Sequence, residues 1–259
     1  MLPEIKMEII CYGTGRQESP IDSIKGVAHC QKVNHTFWIE MNLQLTRDDV
    51  LILFHDHHLV LNQNPYEIRN IDYLQLEDYQ IGHGETIPKL ETVLSLFPDA
   101  KFIFDFHTIQ PRAIELFIDL IDNSGYTGEF IIACENDRFL DDFKNEKPTW
   151  SFAAGSYEAK KIAYAGLIGL ERFAPLKSGY LLIPYQYNGI KILNTRIVKK
   201  VKRENKKLFV WMKELNRRGQ STTVTIDSKS DYDKLVALGV DGVFTDYPSL
   251  LQGVIYNKP

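Results

Sequence analysis

Short runs rich in Ile, Phe, Val and Tyr alternate along this 259-residue chain with longer segments whose apolar residues recur at i, i+3, i+4 and i+7. Such alternation is the pattern of βα units wound around a parallel sheet. Strands are expected at Glu8–Cys11, Trp38–Leu45, Val50–Phe54, Lys101–Phe106, Phe130–Cys134, Thr149–Ala153, Tyr180–Pro184, Lys207–Trp211 and Gly242–Thr245. Outer helices are expected at Pro88–Phe97, Gln110–Ser124, Ser156–Leu167, Asn194–Glu204 and Ser230–Leu238. Asn194 stands where an N-cap belongs and Gly239 where a helix should end. With no repeat, low-complexity tract or long linker to divide the chain, the economical reading is one α/β domain over residues 1–259, a (β/α)8 TIM barrel.

Length and composition allow a single barrel as readily as two domains, and they exclude several functions. At 44% hydrophobic residues the chain can bury a large core. A formal charge of -4 gives no electrostatic reason to expect nucleic acid. The basic run Arg196–Lys207 reads as the solvated face of a helix. Cys11, Cys30 and Cys134 are too few and too scattered for a disulfide framework or a zinc site, so all three are expected to be reduced thiols. No signal-like start and no transmembrane segment is encoded, so a cytoplasmic location is expected.

Two strands carry acids where a barrel strand should be apolar. In WIEMNLQL, Ile39, Met41, Leu43 and Leu45 share one face, and Glu40, Asn42 and Gln44 the other. The outer face of a closed barrel packs on helices, so the polar row must point inward. KFIFDFH repeats the pattern, with Asp105 and His107 on the inward face. Glu40 and Asp105 either pair with inward basic residues, of which the strand runs offer few, or form an acidic site. Glu40, Asp105 and the Asn42 amide oxygen make an all-oxygen set, suited to Mg2+ or Ca2+ better than to zinc. His55 and Asp56 follow VLILF at a strand end, one tight turn after the Glu40 strand, which brings Glu40 and His55 to the same mouth.

These residues resemble the glycerophosphodiester phosphodiesterase family of phosphatidylinositol phospholipase C-like barrels. The family's E-x-D, T-x-D-G-x-x-V and H-D-x-x-L pattern is similar to Glu40-Met41-Asn42, Thr46-Arg47-Asp48-Asp49 and His55-Asp56-His57-His58-Leu59. IPKLETVL, FDFH, KKLFVW and GVDGVFTDYP resemble further family motifs in the right order, with coverage from about Ile9 to Leu251. The resemblance implies hydrolysis of glycerophosphodiesters to an alcohol and glycerol 3-phosphate, aided by a divalent cation and two histidines. It assigns Glu40, Asn42 and Asp105 to the metal, His55 to catalysis, and Tyr12, Asp56 and Trp211 to the substrate.

The chain also departs from the family. The first-strand H-R-G is Cys11-Tyr12-Gly13, so its histidine and arginine are absent, and P-E-N-T is Pro20-Ile21-Asp22-Ser23. Asn42 replaces an acid, and restoring it by Asn42→Asp is expected to tighten cation binding. Asp105 and His107 replace a Glu and a Lys. Cys11 reads either as a small buried thiol or as an activated acid or nucleophile, while His107 is a candidate to replace the missing histidine. A stretch after Trp211, NRRGQSTTVTIDS, is longer than the family pattern and is expected to form a hairpin bringing Arg217 and Arg218 to the mouth. The functional expectation is a divergent metal-assisted phosphodiesterase of weak activity. The alternative is a catalytically inactive member that binds a phosphorylated or polyol ligand; a ligand-free scaffold is weaker still, since Glu40, His55, Asp56 and Asp105 are all present.

Overall fold

The computed structural model describes residues 7–61, 63–217 and 220–256. Parallel strands Glu8–Cys11, Trp38–Leu45, Lys101–Phe106 and Phe130–Cys134 lie side by side. Tyr180–Tyr187, Lys207–Arg217 and Gly242–Thr245 continue the ring, and the last of these pairs with Glu8–Cys11. Two parallel bridges, Ile132 with Phe152 and Ala153 with Tyr180, close the remaining gap. The result is an eight-membered parallel barrel in which the Thr149–Ala153 run contributes only Phe152 and Ala153.

Five expected strands, Glu8–Cys11, Trp38–Leu45, Lys101–Phe106, Phe130–Cys134 and Gly242–Thr245, have the observed bounds. Val50–Phe54 is a correction. Its ordered part, Leu51–Leu53, runs antiparallel to the Trp38–Leu45 strand and is no barrel strand. A turn as tight as TRDD can join only antiparallel neighbours, since a parallel return needs a crossover. The Lys207 strand continues to Arg217 and folds back as Gln220–Val224, the expected hairpin.

The pleat divides the core in two. Ile39, Met41 and Leu43, with Phe102, Phe104 and Phe106, face the helical layer. Ile10, Trp38, Ile103, Ile131, Phe209 and Phe244 fill the barrel interior. On the outer side Phe117 meets Phe104 and Phe106 at ring distances of 5.0 and 5.2 Å. Each such ring contributes about 1.5–3 kcal/mol by leaving water. A smaller cluster of Ile52, Leu59, Ile68, Ile71, Leu76 and Ile87 underlies the excursion after the Leu51–Leu53 strand.

Around the barrel lie Leu90–Leu96, Pro111–Asn123, Ser156–Ile168, Thr195–Arg203 and Lys229–Leu238, the helices expected from periodicity. Asn194 caps its helix by accepting from Arg196 N and Ile197 N. Gly239, at φ 81°, ends another in the left-handed conformation that glycine tolerates. Ile24–Val33, Asp137–Glu146 and Pro248–Tyr256 are additional helices. Among the described residues no helix is long and apolar enough to cross a membrane.

Candidate active site

Register alone places the acids. Asn42 pairs with Asp105 across adjacent parallel strands, and Glu40 sits one inward position below Asn42. Glu40 is buried, and one oxygen accepts from Gly13 N at 2.5 Å. Gly13 presents that N–H from φ 50°, and a Cβ there would stand 3.0 Å from Ile21, so the position requires glycine. Burial, and then the charges of Asp105 and Asp22, raise the Glu40 carboxyl to about 8.

Asp22 is the member that sequence reasoning missed. Its carboxylate is buried and accepts from Asn42 three times: from the backbone N at 3.0 Å, and from the side-chain amide at 3.1 and 3.0 Å. Burial raises Asp22 to about 6 despite those bonds, which pull the other way. The substitution at position 42 therefore removes no charge from the mouth. The negative charge stands on Asp22 and Asn42 serves as its donor. The signal was available in the run Pro20-Ile21-Asp22-Ser23, where an acid replaces the family's amide.

The histidines gather at the same mouth. The antiparallel Leu51–Leu53 segment brings the chain back to the level of Asn42, whose carbonyl accepts from Phe54 N at 2.9 Å, and His55 follows. His55 and His107 face each other with ring centroids 4.6 Å apart. His55 Nδ1 lies 2.7 Å from Asp56 Oδ1 and donates to that carboxylate. His107 Nε2 lies 3.7 Å from Asp105 Oδ2. Burial depresses His107, but Asp105, Glu40 and Asp22 more than reverse this and lift it to about 9. His57, which sequence reasoning also passed over, lies 6.0 Å from His107 and is lowered by burial and by the neighbouring histidines. The Gln44 amide, 3.3 Å from His57 Nδ1, holds its ring.

Cys11 requires a correction. Along the Glu8–Cys11 strand Ile10 faces the interior, so Cys11 faces outward, where it packs in the helical layer against Cys30. Burial, Cys30 and Glu18 push its thiol well above the ordinary range, which keeps it protonated and unreactive. Tyr12 takes the next inward position, edge-on to Phe244 at 6.0 Å, and burial together with Glu40 raises its phenol. Trp211 stands edge-on to Phe244 at 5.7 Å, and its indole Nε1 is buried with no partner among the described residues. Asp56 is exposed, and its Oδ1 accepts from His55 Nδ1 at 2.7 Å, which fixes the orientation of that imidazole.

Arg16 was not anticipated. Its Cζ lies 4.5 Å over the Tyr12 ring, and its guanidinium bonds Asp246 Oδ2 at 3.0 Å and the Thr223 carbonyl at 2.9 Å. The 2.7 Å approach of its Nε to Asp246 Oδ1 is ionic, because the N–H is not directed at that oxygen. Arg217 ends the long hairpin strand, and Arg218 lies outside the described residues.

Among the described residues no three His, Cys, Asp or Glu side chains converge as a metal-holding group. The donor chemistry nevertheless fits a hard cation. Glu40, Asp105 and the Asn42 oxygen are all-oxygen donors, and Glu40 is raised first by burial and then by the neighbouring carboxyls of Asp105 and Asp22.

The chain is similar to known proteins over most of its length. A model of the Glycerophosphoryl diester phosphodiesterase family matches residues 33–250. A glycerophosphodiester phosphodiesterase of Caldanaerobacter subterraneus subsp. tengcongensis is 25% identical over 230 residues, covering 84% of this chain and 85% of that protein. A human lysophospholipase D is 21% identical over 96% of this chain and 86% of its own length. An Oleispira antarctica phosphodiesterase, solved in complex with the product sn-glycerol-3-phosphate, superposes with a TM-score of 0.75 at 18% identity, covering 96% of this chain and 97% of that one. A Thermotoga maritima glycerophosphodiester phosphodiesterase superposes with a TM-score of 0.68 at 16% identity, covering 95% and 96% of the two chains. The match over residues 33–250 takes in the Glu40, His55 and Asp105 segments, and this chain belongs to the glycerophosphodiester phosphodiesterase family.

Proposed function

We propose that this protein hydrolyses a small glycerophosphodiester to an alcohol and glycerol 3-phosphate, using His55 and His107 as the proton-transfer pair. The observation that carries this reading is their placement: two imidazoles 4.6 Å apart at a mouth that also holds three buried or half-buried carboxyl groups, Asp22, Glu40 and Asp105. In the cation-free protein Asp105, Glu40 and Asp22 lift His107 to about 9 against its burial, and its place beside His55 makes it the general acid for the leaving alkoxide oxygen. His55, with Nδ1 on Asp56, presents Nε2 as the general base toward the attacking nucleophile. Two titratable groups with divided roles in one mouth are what acid–base chemistry at a single phosphorus requires.

Glu40, Asn42 and Asp105 would hold a divalent cation, Mg2+ or Ca2+, which supplies positive charge against the phosphoryl oxygens. Arg16, stacked on Tyr12 at the rim, supplies a guanidinium to the same anion, in a chain whose position 12 carries none. The unpaired Trp211 indole N–H is a donor available to a glycerol hydroxyl or phosphoryl oxygen.

The second reading, an inactive family member that binds a phosphorylated or polyol ligand, rests on the first strand, where outward Cys11 and inward Tyr12 leave no histidine. Phosphorus NMR separates the two. The enzyme reading predicts conversion of a glycerophosphodiester to a phosphomonoester when Mg2+ or Ca2+ is present. Ligand-induced stabilisation without conversion would favour the binder.

A further inference from the structure

Charge is unevenly distributed along this chain. Residues 156–207 carry twelve Lys and Arg against three acids, whereas the other residues carry eighteen against thirty-one. The same stretch concentrates exposed apolar side chains. On the Ser156–Ile168 helix, Ile162, Ala163 and Gly166 face the barrel, while Tyr164, Leu167 and Ile168 are left in water. Gly169 ends that helix in a left-handed turn, and Leu170 and Phe173 follow, also exposed. Ile168 and Phe173 are 71% and 65% exposed, values at odds with the ordinary surface of a water-facing helix.

The neighbouring helix, Thr195–Arg203, supplies the charge. Gly166 allows the two helices to touch, since a Cβ there would lie 2.5 Å from Ile197. Lys200 is buried and paired with Glu204, so the exposed cations of this helix are Arg196, Lys199, Lys202 and Arg203. Arg196 lies beside Gly169, and Arg172 stacks 4.5 Å over the Phe173 ring. Apolar and cationic surfaces are thus contiguous on the outside of the barrel.

We propose that this face docks on an anionic lipid surface. Aliphatic and aromatic side chains with Lys and Arg alongside match the two layers of a bilayer interface, acyl chains below and anionic headgroups above. The long basic side chains reach headgroups while their stems lie along the apolar groups. A nucleic acid would satisfy the cations but leave Leu167, Ile168 and Leu170 in water, and aliphatic groups offer no stacking plane. A second copy of the same face would set these cations against their own kind.

Vesicle flotation of the full chain tests this, with phosphatidylcholine alone and mixed with phosphatidylglycerol. The protein is expected to float with the mixture, to stay behind with phosphatidylcholine, and to be released by salt. Ile168→Ser with Phe173→Ser, and separately Arg196→Gln with Lys199→Gln, should each weaken binding about tenfold or more. All four side chains are exposed, so thermal unfolding should be unchanged and lost binding is not lost fold. The proposal is overturned by no flotation with the mixture, or by undiminished flotation in both double variants. It is equally overturned if RNA, in an anisotropy titration, binds in place of vesicles, or if light scattering shows a dimer that the Ile168–Phe173 variant dissociates.

Discussion

The Asn42 side-chain amide donates to both carboxylate oxygens of Asp22, at 3.1 and 3.0 Å, inside a buried mouth that also contains Glu40. Amide and acid form one unit, and the behaviour of position 42 cannot be deduced from its own side chain. An acid restored there would face the Asp22 carboxylate with only its own backbone N–H still donating.

Asn42→Asp alone is therefore expected to destabilise the fold by about 1–3 kcal/mol, because Asp22 Oδ2 loses its donor, Oδ1 keeps only the backbone N–H, and two buried carboxyls are set against each other. It should also fail to tighten Mg2+ or Ca2+ binding, contrary to the expectation from sequence. The exchange Asp22→Asn with Asn42→Asp restores the donor and should recover most of the lost stability. Thermal unfolding and calorimetric titration of the three proteins check this; a single variant as stable as wild type would contradict it.

His107 provides a pH signature. Its folded-state value, about 9, lies above the ordinary imidazole value of 6.5, so the protonated form is the one stabilised. That stabilisation is complete below about 6.5 and disappears as pH rises through about 9. His107→Gln should consequently lower the unfolding temperature clearly at pH 6 and only slightly near pH 10, measured in the absence of divalent cations. An equal loss at both values would show that His107 is not held as the imidazolium.

Much of the barrel was legible in the sequence, because strand bounds follow from period-two alternation. Glu40, Asn42 and Gln44 were assigned inward by that rule alone. Cys11 was misplaced for a related reason: the motif comparison equated it with a catalytic histidine, whereas alternation along Glu8–Cys11 turns its side chain outward. His55 was placed correctly at the mouth but on the wrong kind of element, since the strand before it is an antiparallel return. Asp22 and Arg16 could not be located by periodicity, as both sit in the irregular segment between the first strand and the Ile24–Val33 helix.

Cys11→Ala follows from that correction. The thiol is packed against Cys30 outside the barrel, so kcat should remain within about twofold of wild type, while stability falls by about 1 kcal/mol for the buried atom removed. Steady-state kinetics beside thermal unfolding separates the two effects. A hundredfold loss of turnover would return Cys11 to the catalytic set.

Arg16→Met keeps much of the stem that lies on Tyr12 and removes the guanidinium. If Arg16 meets the phosphate, KM should rise about tenfold or more, in keeping with a charge-assisted contact of about 1.5–3 kcal/mol. Protein with an unchanged KM would confine Arg16 to its structural bonds with Asp246 and the Thr223 carbonyl.

Turnover of a glycerophosphodiester by wild type and by His107→Gln, followed as release of glycerol 3-phosphate at neutral pH with Mg2+ or Ca2+, bears most directly on the proposed chemistry. Loss of a proton-transfer group typically costs about 10²- to 10⁴-fold in rate. The account predicts measurable wild-type turnover and a loss of that size in kcat, with KM little changed. Wild-type protein that binds the diester without cleaving it, or a variant that retains its rate within a few-fold, would contradict it.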